Sequence, residues 1–327
     1  MKHIGKSYDK VDAKGILSGK PSYTGDFVPK DALIIKVLRS PHAQAKIKSI
    51  DTSKAKLIPG VEAIFTYEDV PNTRFTLAGQ TYPEPSAYDA LILDSVVRYV
   101  GDEVALVVAK DEATALKAMP LIKVEYEVQK PVLDLRTAMD HETVVHPEDD
   151  ILNHIPVGQD YKRNICVSSH KRVGDIEGEL AKCDYVVEGT YFDQATRQSA
   201  MEPFQRFGSI DHLGRIVIVS STQIVFHVRR HIARALGIPA SKIRVIKPRI
   251  GGGFGSKQTA CTELMTAFVT WKLQKPCYLL YDRTEAQTCS TTRHAREWYI
   301  RVGATKDGII QVIDMDSITD AGAHATH

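Results

Sequence analysis

The chain has 327 residues, of which 43% are apolar and 25% charged, with a formal net charge of +2. A chain of this length holds about two domains, and its composition is that of a packed globular protein, which excludes a disordered tail, a collagen-like repeat and a disulfide-dense miniprotein. No run approaches the roughly 18–20 apolar residues of a membrane span, and the first residues lack the apolar stretch of a secretory signal. Cys166, Cys183, Cys261, Cys277 and Cys289 form no CxxC pair. That fits a reduced, cytoplasmic chain and argues against a zinc or iron–sulfur cluster held by this chain alone.

Residues 1–140 read as a compact α/β unit. Residues 32–38 are a short β-rich run, and 61–66 alternate after the Pro59-Gly60 turn signal. Residues 103–109 form a buried-type strand, apolar from Val104 onward, Asp111 caps a helix over 112–119, and 121–126 alternate again. Together these predict a β-α-β unit. Residues 141–165, with Pro147, Pro156 and the acidic Glu148-Asp149-Asp150, read as a linker.

A second domain is expected over 166–327. Its predicted strands lie at 185–190, 215–221, 243–247, 278–281, 299–302 and 310–316. Its predicted helices lie at 226–236, ended by Gly237 and Pro239, and at about 259–273. The last strand and the turn at 320–324 stand close to His327 with no closing element. The expectation is that another polypeptide completes this domain, or that the chain is a fragment.

Charge is unevenly distributed. No acidic residue lies between Asp211 and Glu263, where nine basic ones do: Arg215, Arg229, Arg230, Arg234, Lys242, Arg244, Lys247, Arg249 and Lys257. A cationic segment in an otherwise weakly anionic chain points to an anionic partner at one place. The total charge is too balanced for nonspecific nucleic-acid binding, and no nucleic-acid module is present.

That segment encloses Gly251-Gly252-Gly253-Phe254-Gly255, between a predicted strand and a predicted helix. Glycines let a backbone approach a ligand closely, and amides at a helix start favour negative charge. As a dinucleotide fingerprint the loop fails, because Ser256 stands where the third glycine belongs. Ser221-Thr222-Gln223 ends a strand before the basic helix, and Gln223 offers a neutral donor and acceptor there. Glu202, in an apolar neighbourhood, reads as a site carboxylate or a structural acceptor. His227 and His231 have metal-pair spacing, but Arg229 and Arg230 lie between them and no third ligand is evident.

These residues together resemble the molybdenum-binding subunit of the xanthine dehydrogenase family, in its bacterial multi-subunit form. Gly19 to Asp26, Arg39-Ser40-Pro41-His42-Ala43, Pro59-Gly60-Val61 and Tyr99-Val100-Gly101-Asp102 resemble the family's α/β hammerhead domain. Ser220-Ser221-Thr222-Gln223 and Gly251 to Gln258 resemble its molybdopterin segment, and Arg293-His294 and Asp320-Ala321-Gly322-Ala323 also fit. The resemblance implies an α+β, α/β fold: a hammerhead domain over 1–140, then, after the linker, the first part of a molybdopterin-binding domain over 166–327.

The resemblance further implies a molybdenum–molybdopterin cofactor, in its plain or cytosine dinucleotide form, whose phosphate the cationic segment would meet. The implied reaction is oxidation of a purine-type heterocycle, hypoxanthine or xanthine to urate, with water as oxygen source. Electrons would pass to [2Fe–2S] and FAD on partner subunits and on to NAD. Nicotinate or aldehyde hydroxylation, or a catalytically incomplete fragment, are the alternatives. By resemblance Gln223 and Phe254 belong to the molybdenum environment, Gly252, Gly253 and Gly255 to the cofactor's backbone cradle, and Gly255 offers its amide. Gln258 stands where animal relatives carry a substrate-contacting glutamate. The family's general-base glutamate is expected beyond residue 327, so no catalytic residue is assigned within this chain.

Overall fold

A computed structural model describes residues 2–79, 81–260 and 262–325; Cys261 and His327 lie outside them. In chain order the elements are α1 Ala13–Leu17, β1 Leu33–Arg39, β2 Ala45–Asp51, α2 Ser53–Lys56, β3 Val61–Phe65, β4 Val96–Val97, β5 Glu103–Ala109, α3 Glu112–Ala118, β6 Lys123–Val128, α4 Ile176–Leu180, β7 Tyr185–Asp193, β8 Gln205–Ile210, β9 Ile216–Ser220, α5 Val225–Leu236, β10 Ile243–Ile246, α6 Thr262–Leu273, β11 Cys277–Leu280, α7 Arg283–Thr288, β12 Arg296–Ala304 and β13 Ile310–Thr319.

Seven strands form one mixed sheet in the order β10-β9-β8-β11-β1-β5-β3. β1 and β11 pair in parallel, Leu33 opposite Cys277, so both halves of the chain contribute to this sheet. The apolar run of β5 from Val104 to Ala109 follows from cover on both faces. Leu106 and Val108 enter the main core with α5 and α6, while Ala105, Val107 and Ala109 pack with Ala55 of α2 and Ala115 and Ala118 of α3. Asp111 caps α3 by accepting from Thr114 N at 2.7 Å.

α5 buries Val228, His231, Ile232, Ala235 and Leu236, a helical stripe, and ends on Gly237 at φ +64°. α6 is buried over most of its length, from Thr262 to Thr270. The buried pair Arg206–Glu263, 2.6 Å apart, ties its first turn to β8.

One expectation is corrected. The strand–helix–strand run over 103–128 is not one β-α-β unit: β5 lies in the seven-stranded sheet, whereas β6 pairs with β2 in a separate sheet ordered β4-β2-β6. α3 therefore connects two sheets. The strands β2 and β8 had no clear sequence signal, because lysines interrupt the first and the second buries an arginine and a glycine. A third sheet, β13-β12-β7, is antiparallel throughout. One of its faces carries Val187, Tyr191, Trp298, Ile300, Ile313 and Met315, and Val187, Tyr191, Ile313 and Met315 are exposed.

Candidate cofactor site

β9 and β10 are parallel neighbours joined through α5, Ile216 opposite Ile243. Loops leaving the carboxyl ends of such strands are where α/β sheets bind ligands. The loop after β9 contains Gln223 and the loop after β10 contains the glycine run, so strand order alone brings the two together. Ser220, Ser221 and Thr222 are fully buried, and Gln223 is the first exposed residue after them. Gln223 N donates to Lys257 O at 2.9 Å, lacing the two loops.

The loop backbone is shaped for close approach. Gly252 and Gly255 have φ of +101° and +94°, a region that favours glycine, and Phe254 sits there too, at +51°, with its ring exposed. Gly253 is needed for space: a Cβ there would lie 2.8 Å from Gln223 Cδ and closer still to its Oε1. Gly255 N donates to Gln223 Oε1 at 3.2 Å. The amide expected at Gly255 is thus engaged within the loop. Among the described residues, the amides of Gly252, Gly253 and Phe254 have no hydrogen-bond acceptor, and the Gln223 side chain donates none. Three successive open amides beside an exposed carboxamide suit a flat, acceptor-rich group lying against the backbone.

Glu202 underlies this loop. Its Oε2 accepts from Gly251 N at 2.7 Å and Lys257 Nζ at 2.9 Å, and its Oε1 from Gln205 Nε2 at 2.6 Å. Burial pushes the Lys257 ammonium below its usual pKa, with Glu202 opposing. Of the two sequence readings of Glu202, the geometry is that of the structural acceptor.

The cationic segment is not one basic face. Lys257 is sealed against Glu202, Arg215 pairs with Asp211, Arg230 with Glu84 and Arg249 with Asp12. Arg229 and Arg234 donate to the carbonyls of Ala240 and Arg74. Lys242, Arg244 and Lys247 are exposed along the edge strand β10 and its ends. The first turn of α6 is buried, and its Glu263 carboxylate is taken up by Arg206 and Ser220.

The histidine pair also resolves. Glu84 comes within 3.5 Å of His227 and 3.9 Å of His231, a third ligand from a distant segment. Arg230, however, donates to Glu84 at 2.6 Å and contacts His227 at 2.8 Å, which places a cation where a metal would sit. His231 bonds Ala78 O at 2.7 Å, and burial lowers its pKa to about 4. The described cysteines form no disulfide; burial pushes Cys166 and Cys277 up to about 12, so both stay thiols.

Gln258 is half-buried on the Gly255 side of the loop, with Arg293 beside it. A Cβ on Gly255 would lie 3.5 Å from Gln258 Oε1 and 3.9 Å from Arg293 Nη2, and Arg293 donates to Phe254 O at 3.1 Å. Residues 77–79 arrive from the amino-terminal segment to support the site. A Cβ on Gly79 would lie 2.5 Å from Gln258 O and strike Ile224 Cδ1. A lone glycine at position 79 gives no sequence signal for this contact.

The fold and the open loop define a candidate ligand site at the carboxyl ends of β9 and β10. The molybdopterin cofactor-binding domain matches residues 157–327, and the aldehyde oxidase and xanthine dehydrogenase a/b hammerhead domain matches residues 18–130. The chain is 38% identical over 99% of its length to the probable hypoxanthine oxidase XdhD of Escherichia coli K12, spanning 36% of that protein. It is 30% identical to the nicotinate dehydrogenase large molybdopterin subunit of Eubacterium barkeri, covering 99% of this chain and 72% of that one. The aldehyde oxidoreductase of Desulfovibrio gigas superposes with a TM-score of 0.82 at 25% identity, over 97% of this chain and 34% of that one. The chain belongs to the xanthine dehydrogenase family of molybdenum-binding subunits, and spans little more than a third of the first of these relatives.

Proposed function

We propose that this chain supplies part of the cofactor site of a molybdenum hydroxylase acting on a purine-type heterocycle. The carrying observation is the juxtaposition of Gln223 with the open amides of Gly252, Gly253 and Phe254. When bound, molybdenum–molybdopterin would supply the two-electron oxidation and oxygen transfer from water. Within the chain, Gly252, Gly253, Gln223 and Phe254 would hold the cofactor, the glycines by letting it approach the backbone and Gln223 by offering its carboxamide N–H as a hydrogen-bond donor. Gln258, with Arg293 adjoining, lies on the substrate side; a neutral amide there hydrogen-bonds a purine edge without exchanging a proton with it.

A general base for this chemistry would come from outside this chain. [2Fe–2S] and FAD groups on partner subunits would accept the electrons. The rest of the molybdopterin domain covers the bare apolar face of β7, β12 and β13; the exposed Val187, Ile313 and Met315 support this reading.

Nicotinate is the second candidate substrate, favoured by a relative of whose length this chain covers 72%. The test is turnover by the complete assembly, purified from a molybdopterin-producing host, on hypoxanthine, xanthine, nicotinate and an aromatic aldehyde. Preference for hypoxanthine or xanthine supports the purine reading, and preference for nicotinate or the aldehyde rejects it.

A further inference from the structure

We infer that Glu202 is the positioning residue of the glycine loop: it clamps both ends of the loop and thereby sets where Gln223 and the open amides stand. The inference rests on the cofactor reading of this site and deepens it.

Glu202 holds the loop's start through two bonds. Its backbone N donates to Gly251 O at 3.0 Å, and its Oε2 accepts from Gly251 N at 2.7 Å. It holds the loop's end through Lys257, whose Nζ donates to Glu202 O at 3.0 Å and to Oε2 at 2.9 Å. A Cβ on Gly251 would lie 2.7 Å from Glu202 Cβ, so only glycine permits this approach. The other carboxylate oxygen is anchored as well: Gln205 donates to Oε1 at 2.6 Å and itself accepts from Tyr278 OH at 2.9 Å, which ties the clamp to β8 and β11.

The clamp reaches the site through the backbone of Lys257. That carbonyl accepts from Gln223 N at 2.9 Å and lies 3.4 Å from Thr222 Oγ1. Glu202 therefore fixes Lys257, and Lys257 fixes Gln223. Residues 252–254, between the clamped ends, keep their amides free because neither end can slide to pair them.

Both charges are buried, so removing one leaves the other unpaired and destabilises the fold. Glu202→Gln alone would confound stability with position. The informative variant is Glu202→Gln with Lys257→Met, which removes both charges while keeping volume. It is made in the complete assembly and read by hydrogen exchange of peptides spanning 251–258, with β9 peptides as the internal reference, alongside thermal unfolding and molybdenum content.

The double variant is expected to melt near wild type, as apolar replacements of buried pairs commonly do. The hydrogen-bonded loop amides, those of Gly251, Gly255, Ser256 and Gln258, should nevertheless exchange about tenfold faster or more, with β9 unchanged, because the loop opens locally. Molybdenum content should fall with it. Wild-type exchange in the loop overturns the inference, whatever the melting temperature. Faster loop exchange with undiminished molybdenum keeps the clamp and rejects instead the reading that this loop holds the cofactor. If the double variant does not fold, Glu202→Asp, which keeps the charge and shortens the reach, is read the same way: wild-type loop exchange overturns the inference and faster exchange supports it.

Discussion

Gly253→Ala separates ligand from scaffold in one substitution. The added Cβ would lie 2.8 Å from Gln223 Cδ, against the roughly 3.5–4.0 Å of ordinary carbon contact. Gln223 must then withdraw by about 1 Å. Gly253 lies outside the residues with positive φ, so alanine adds no backbone strain. Gln223 is exposed, and the withdrawal costs a rotamer adjustment and the bond from Gly255 N to its Oε1, about 1–2 kcal/mol together. That corresponds to a Tm shift of about 2–8 °C in a domain of this size. A positioned group displaced by about 1 Å, by contrast, can cost about 10²-fold in rate. The assays are differential scanning calorimetry of the cofactor-free assembly, molybdenum by mass spectrometry, and turnover. The expected result is near-normal melting with sharply reduced molybdenum and turnover. Normal molybdenum and turnover with a Tm lowered by more than about 10 °C, well beyond the rotamer adjustment, would refute this reasoning and leave the glycine a purely structural one.

Gln223→Ala, assayed in fully metal-loaded assembly, should lower turnover by about 10²–10³ with melting unchanged, since one positioned donor is lost; unaltered turnover would return Gln223 to an ordinary helix-start residue. Glu263→Ala should destabilise the fold by about 3–5 kcal/mol, measured by denaturant unfolding, because Arg206 is left charged and unpaired in the core. Stability should also fall as pH rises from about 4 to 7. Burial and the neighbouring Glu103 raise Asp102 to about 7, so its folded form keeps a proton that the unfolded chain releases lower down, and this decline levels off above 7. His324, raised by Asp89 against the cost of burial, adds a further loss as pH rises above its usual imidazole value. Asp102→Asn should flatten the decline in Tm across these pH values, and an unchanged slope counts against it.

Local signals were legible in the sequence where one element decides its own state. The Asp111 cap, the Gly237 stop and the strands β1, β3, β9 and β13 all follow from neighbouring residues. Pairing across long separations was not. Nothing in residues 33–35 announces that β1 lies parallel to β11, and only that pairing merges the two halves of the chain into one sheet. The same limit applies at the site. Gln223 and the glycine run were visible as motifs, but the partners of the nine basic residues were distant acids and carbonyls, so linear charge overstated the local field. Glu202 could be read as an acceptor, whereas its role as a clamp depends on Gly251 and Lys257 reaching it from 49 and 55 residues away.

The most direct measurement compares hydrogen exchange of the complete assembly with and without its molybdenum cofactor. Protection on loading should concentrate in peptides covering Gln223 and residues 251–258, with the β7, β12 and β13 peptides unchanged. Cofactor-dependent protection elsewhere, with these two loops unaffected, would contradict the assignment of the site.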